Sequence, residues 1–186
     1  MQLELLAPEN KVPGFRYQRE LLTESEERAL AAWAGTLDLK PFEFHGYLGN
    51  RRIASFGYRY DFAGRRVESA APLPAPLLPV REKAAAFSGH PAADFVQAMV
   101  TEYAPGAPIG WHRDKQEFGE IVGVSLLAPA CLRFRRRRGA GWARWTQWLE
   151  PRSAYLLSGQ ARRDWEHSIP PQKDLRYSIT FRTLAG

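Results

Sequence analysis

After His90 the chain settles into one pattern: short stretches rich in β-branched and aromatic residues, interleaved with polar ones and cut by Gly and Pro. FVQAMVTEY, EIVGVSLLA, CLRFRRRR, ARWTQWLE, SAYLLSG and DLRYSITFRT succeed one another in this way and predict the strands of an antiparallel sandwich or barrel. Upstream, FEFHGYLG and RRIASFGYRYDF predict two more strands, turning around Gly49-Asn50. Helical spacing is confined to the first half. Thr23-Glu24-Ser25-Glu26 is a capping box leading into EERALAAWAG, with Gly35 as the stop. The Pro-rich stretch from Ala71 to Pro79 excludes a helix interior or a central strand, and runs into a second helix, REKAAAFSG, ending at Gly89. No internal repeat is present. The fold class is α+β, mainly β, with an antiparallel core and an N-terminal helical layer.

Length adds that residues 1–186 form one domain. The 23 aromatic residues supply enough buried area for folding without disulfides or structural zinc. Cys131 is the only cysteine, which excludes an intrachain disulfide, a Cys-rich zinc site and an iron–sulfur cluster. The opening MQLELLAPENK has no basic region ahead of an apolar core, and the longest mostly apolar run, 121–132, is far short of the ~20 residues a membrane helix needs. A soluble, cytoplasmic monomer is expected.

Charge sharpens the picture once it is located. Between Cys131 and Arg152 stand seven arginines (133, 135, 136, 137, 138, 144 and 152) against one acid, Glu150, so this segment alone carries the +6 of the whole chain. Such a stripe suggests a polyanionic partner, nucleic acid being the commonest, with Arg135, Arg136, Arg137 and Arg138 on its backbone. The bland alternative is an edge hairpin whose charges prevent strand-to-strand aggregation.

Candidate chemistry starts at Trp111-His112-Arg113-Asp114. In an extended segment residues two apart share a face, so His112 and Asp114 can converge on one point; His167 follows 53 positions after Asp114. Two imidazoles and one carboxylate on one side of a metal make the facial triad of non-haem Fe(II) oxygenases, with positions left open for co-substrate and dioxygen. An HxD pair alone is weak, being most often a surface His beside an Asp. Arg176-Tyr177-Ser178-Ile179-Thr180-Phe181-Arg182 changes the balance: its arginines, six apart, share a strand face with Ser178 and Thr180. Two guanidiniums on a polar inner face call for anions, and their planar forks suit a dicarboxylate.

The order YAPGAPIGWHRDK, then WEHSIPP, then RYSITFR resembles the AlkB family of Fe(II)- and 2-oxoglutarate-dependent dioxygenases, from about Phe42 to Leu184. The resemblance implies a double-stranded β-helix, or jelly roll, and iron on His112, Asp114 and His167. It implies Arg176 on the distal carboxylate of 2-oxoglutarate with Tyr103 nearby, and Arg182 near the carboxylate that chelates the metal. It further implies oxidative decarboxylation of 2-oxoglutarate by dioxygen, coupled to hydroxylation or dealkylation of a modified base in DNA or RNA. The family often has Asn where this chain has Thr101, and some repair members have an acidic base contact where it has Gln116, so base preference does not carry over.

Arg51-Arg52-Ile53-Ala54-Ser55-Phe56-Gly57-Tyr58-Arg59-Tyr60 resembles the family's substrate lid. Phe56, Tyr58 and Tyr60 are expected on one strand face, interleaved with arginines as Arg51 and Arg52 lead in, a composition suited to stacking bases while holding phosphates. Trp142, Trp145 and Trp148 could stack on bases or anchor the Arg-rich hairpin, and the sequence leaves both open. Cys131 reads as a buried small hydrophobe; His45 and His90 have no ligand-like neighbours. Two other functions compete: the same iron chemistry on a protein side chain or small molecule, and a nucleic-acid-binding module without catalysis.

Overall fold

The computed structural model describes residues 12–44 and 47–186. Its strands are β1 (Phe15–Gln18), β2 (Lys40–Phe44), β3 (Tyr47–Phe56), β4 (Tyr58–Asp61), β5 (Arg66–Ser69), β6 (Gln97–Tyr103), β7 (Ile109–His112), β8 (Phe118–Leu126), β9 (Ala130–Arg138), β10 (Gly141–Leu149), β11 (Ala154–Leu157), β12 (Glu166–Ile169) and β13 (Arg176–Leu184). The helices are α1 (Glu24–Gly35), α2 (Leu78–Ser88) and the short α3 (Gly159–Arg163). A seven-stranded sheet, β1-β11-β8-β13-β6-β3-β2, faces a four-stranded one, β10-β9-β12-β7, while β4 and β5 form a separate hairpin. All of these pairings are antiparallel. This is the expected double-stranded β-helix.

Strand alternation divides the interior in two. On β13, Tyr177, Ile179 and Phe181 point to the helical side, where Leu30 and Ala34 of α1 and Val80 and Ala84 of α2 complete a core. The second core lies between the sheets: Phe15, Ile121, Leu132, Phe134, Leu149 and Ile169 are all at most 4% exposed. Phe134 meets Phe15 edge-on at 5.0 Å within this layer. The inward side of β13 instead carries Arg176, Ser178, Thr180 and Arg182, so polar groups occupy one end of the space between the sheets.

Local signals explain the boundaries. Thr23 accepts the backbone N–H of Glu26, and Glu26 accepts that of Thr23, as the capping box requires. Gly35 does not stop α1 but is its last residue, with Thr36 as the C-cap. Helix α2 starts at Leu78, ahead of the expected Arg81, because Pro79 falls in the first turn, where no N–H is needed. It ends at Gly89 with φ +86°, as expected.

The expected turn at Gly49-Asn50 is not there. Strand β3 runs through both residues, and the break comes at Gly57, with φ +75° and its backbone so close to the Val96 carbonyl that a Cβ would overlap it. This detaches β4 from β3 and corrects the expectation that Phe56, Tyr58 and Tyr60 share one strand face. His45 lies outside the described residues. Among the described residues no helix is long and apolar enough to cross a membrane.

Candidate active site

The polar end of the intersheet space is built by three strands and one loop. Strand β7 ends at His112, which stands directly opposite His167 of β12, and Asp114 follows as the chain leaves the strand. The imidazole centroids are 4.3 Å apart, and His167 Nε2 is 3.4 Å from Asp114 Oδ2. One ligand atom from each of the three residues lies within 4.8 Å of the other two, the only such His/Cys/Asp/Glu group among the described residues. The expected triad is therefore assembled.

Two of the three ligands are fixed by a second contact. The Nδ1 of His112 is 2.8 Å from the Gly110 carbonyl; donating its proton there leaves Nε2 as the lone pair for a metal. Burial, with His167 adding to it, pushes the His112 pKa down to about 4, so the ring is neutral and ready to ligate at pH 7. Burial opposes ionisation of Asp114, yet the Arg182 guanidinium and His167 hold its carboxyl well below the usual carboxylate range. Arg182 donates to Asp114 Oδ1 from Nη2 at 2.8 Å and from Nε at 3.2 Å, leaving Oδ2 to the site. Its Nη1 donates to Gln97 and Thr180, so this guanidinium is fully engaged.

Arg176 is the opposite case. It is 0% exposed, its Nε donates to Ser125 Oγ at 3.0 Å, and Nη1 and Nη2 have no partner among the described residues. Its guanidinium stands 5.0 Å from the Tyr103 ring, its neighbour across the β6–β13 register. Two adjacent buried donors with nothing to bond fit one carboxylate, the donor set a dicarboxylate such as 2-oxoglutarate requires. Ser178 and Thr180, further along the same strand face, line a cavity with the triad, Tyr103 and Arg182.

Sequence reasoning missed two contributors. Tyr155 of β11 lines the cavity at 7% exposure, and burial pushes its phenol pKa upward, keeping it a hydrogen-bond donor. Its ring lies across Gly123 of β8, where a Cβ would overlap it. A glycine inside the apolar run EIVGVSLLA was the readable signal. Arg162 of α3, 8% exposed, donates to the carbonyls of Asp114, Lys115, Phe118 and Gly119 and so holds the loop that carries the third ligand. Nothing in its sequence context marks it.

The proposed lid divides. Arg51 faces inward: it pairs in register with Tyr103 and lies 4.0 Å over the Phe42 ring. Tyr60 meets Phe62 edge-on at 5.0 Å, and the Lys115 ammonium, next to Asp114, sits 4.7 Å from the Tyr60 ring and 5.0 Å from that of Phe62. Tyr58 shares β4 with Tyr60, and Gln116 is exposed in the loop after Asp114. Two residues leave the site. Arg52 alternates to the helical side, where it pairs with Glu102 at 2.7 Å; Phe56 lies there too, packed 6.4 Å from Trp33. One residue of offset on a strand reverses the face.

The Arg stripe also divides by register. Arg135 and Arg137 point to the solvent side of the four-stranded sheet, whereas Arg136 turns to the other side, stacking on the buried Trp165 and donating to Gln160. Arg138 is exposed at the hairpin end. The four consecutive arginines do not form one surface.

With this geometry in place, comparison with known proteins is informative. Residues 16–182 match the model of the 2OG-Fe(II) oxygenase superfamily. An Arabidopsis thaliana protein named alkylated DNA repair protein ALKBH8 homolog is 28% identical across 92% of this chain and 55% of its own length. The Escherichia coli alpha-ketoglutarate-dependent dioxygenase AlkB is 33% identical across 54% of this chain and 51% of its own. This chain thus spans about half the length of either relative. Among solved structures, that of OsALKBH1 superposes with a TM-score of 0.67 at 16% identity over 92% of this chain and 97% of its own, and a Pseudomonas putida prolyl-4-hydroxylase with 0.62 at 16% over 92% and 93%; at this identity both speak for the fold alone. The triad, the buried arginines and the matched residues converge: the chain belongs to the 2OG-Fe(II) oxygenase superfamily and is AlkB-like within it.

Proposed function

We propose that the protein oxidises modified bases in DNA or RNA, with Fe(II) on His112, Asp114 and His167 and 2-oxoglutarate anchored by Arg176. Bound iron and 2-oxoglutarate supply the oxidation: dioxygen is consumed, 2-oxoglutarate becomes succinate and carbon dioxide, and a substrate C–H gains a hydroxyl, which on an N-alkyl carbon leads to loss of the group as aldehyde. The chain's own residues orient and exclude. His112 and Asp114 are held by Gly110 and Arg182, Tyr103 and Tyr155 wall the co-substrate end, and Arg162 keeps the Asp114 loop in place.

The observation that carries the nucleic-acid reading is the mouth of the site. Phe42, Tyr60 and Phe62 form an aromatic cluster beside the Asp114 loop, with Arg51 on Phe42 and Lys115 on the other two. Flat rings flanked by cations suit a base taken out of its stack, with its phosphates still attached. The printed names of the Arabidopsis and E. coli relatives, a DNA repair protein and AlkB, point the same way. A cytoplasmic monomer completes the reading.

The test is anaerobically prepared protein given Fe(II), 2-oxoglutarate and then air, with methylated oligonucleotides, tRNA and peptides as separate substrates and mass spectrometry as the readout. Loss of 14 mass units per methyl, or gain of 16 for a stable hydroxyl, is expected in a nucleic-acid arm. A change only in the peptide arm overturns the reading.

A further inference from the structure

Turning the four-stranded sheet around exposes a surface unrelated to the cavity. On β9, Leu132 and Phe134 point inward at 0% exposure, so Arg133, Arg135 and Arg137 point out. Register adds Trp142, Arg144 and Trp148 from β10, opposite Arg137, Arg135 and Cys131. Trp111 joins them from β7, because its neighbour His112 takes the inner side.

These residues are stacked in order. Trp111 lies between the guanidiniums of Arg133 and Arg135, at 5.1 and 4.5 Å, and Trp142 between those of Arg135 and Arg137, at 4.4 and 4.6 Å. A guanidinium lying on an indole keeps its plane occupied and its N–H edge free, so the ladder holds forks ready for anions at little further entropy cost. Glu166 of β12 lies on this face and is bonded to Arg135 at 2.6 Å. Arg133, Arg137 and Arg144 have no acidic partner among the described residues, and Arg144 stands directly opposite Arg135, so that pairing holds two cations against the single carboxylate of Glu166. Trp148 is 60% exposed, the most open large apolar side chain among the described residues. Protection of a sheet edge accounts for charge, but it needs neither an open tryptophan nor cations placed on the inner strand β9.

We propose that the solvent face of the four-stranded sheet is a second binding surface, for single-stranded nucleic acid, in which Arg133, Arg137 and Arg144 take phosphates and Trp148 takes a base. It deepens the reading of the enzyme as a nucleic-acid dioxygenase, and it lies one sheet thickness behind the metal cavity. The face measures roughly 13 by 14 Å, from four residues at ~3.3 Å and three strand spacings at ~4.8 Å, room for a few nucleotides. The substrate is accordingly a polymer, held on the back face while another of its bases enters the mouth.

The experiment is fluorescence anisotropy of the full chain with a labelled oligothymidylate of twelve nucleotides, with and without Mn(II) and 2-oxoglutarate, across a salt series. Wild type is expected to bind in both states, because the surface does not include the metal. R137E/R144E should weaken binding about tenfold or more and flatten the log–log salt slope by ~1.4, two phosphates at ~0.7 each. The milder R144Q guards against misfolding and should flatten it by about half as much. Trp148→Ala should weaken binding with no change of slope, since stacking is insensitive to salt. Retained 2-oxoglutarate binding serves as the folding control. Unchanged affinity and slope in the Arg variants would overturn the proposal even if modified oligonucleotides are still turned over. Polyglutamate competing as well as the oligonucleotide would also overturn it, by showing a surface for any polyanion. If no nucleic acid is turned over but the variants lose binding as expected, the surface stands and the proposed activity fails.

Discussion

Burying Arg176 completely with only its Nε bonded costs free energy that the rest of the fold must offset until an anion arrives. Arg176→Ala is therefore expected to weaken 2-oxoglutarate by ~2–5 kcal/mol while leaving the melting temperature of the metal-free protein unchanged or higher. The kinetic readout is the KM for 2-oxoglutarate, with Arg176→Lys a partial defect at best because a point charge replaces a fork. A large drop in metal-free stability with unaltered KM would make the residue structural. Removing His167 attacks the other half of the site. With two of three ligands left, Mn(II) binding by calorimetry should fall severely and turnover should cease, and normal metal content in His167→Ala would sink the triad.

At the scale of elements, β8 and β11 show how a strand can serve the site without contributing a charged group. Gly123 gives up its side chain so that the Tyr155 ring can lie across the sheet toward the cavity. Gly123→Ala forces a backbone-anchored methyl into that ring and should cost ~1–3 kcal/mol by overpacking. Most of that loss should disappear in Gly123→Ala combined with Tyr155→Ala. A urea denaturation cycle with additive losses would show that the two do not share the space. The β4–β5 hairpin works by a different principle, since its aromatic residues reach Lys115 from outside both main sheets. Tyr60→Ala should lower turnover of a modified base and leave the salt dependence of binding as it was, and the reverse outcome would remove the hairpin from the mouth.

For the whole molecule, the buried triad links folding to pH. The His112 pKa falls from an ordinary 6.5 to about 4 on folding, so between these values the unfolded chain binds more protons than the folded one. Stability of the metal-free protein should hold above pH 6.5, decline as pH drops through that window, and decline further below 3.8, where unfolded Asp114 takes up a proton that the folded site refuses. Thermal melts of metal-free protein from about pH 8 to about pH 3 test this, with His112→Asn expected to flatten the upper part of the decline. A melting temperature independent of pH from 6.5 to 4 in the wild type would contradict it.

The sequence by itself determined six of the eight strands after His90, all but the short β7 and β12, together with the capping box of α1, the glycine end of α2, the three candidate ligands and the two arginines of RYSITFR. Each of these depends on local spacing: a period of two, a cap three residues from its partner, or an HxD in extended backbone. What it could not decide were the questions that turn on register. Which of Arg51 and Arg52 faces the metal, which of three hairpin tryptophans is core and which is surface, and which of four consecutive arginines point outward all depend on which residues stand opposite. Trp145 went inward against Phe15 and Phe134 while Trp142 and Trp148 went out. Tyr155 and Arg162 were beyond reach for a related reason, since their partners are a glycine 32 positions away and carbonyls of a loop 43 to 48 positions away. Such contacts form only when the sheets close, and a one-residue shift would have sent every one of these side chains to the opposite face.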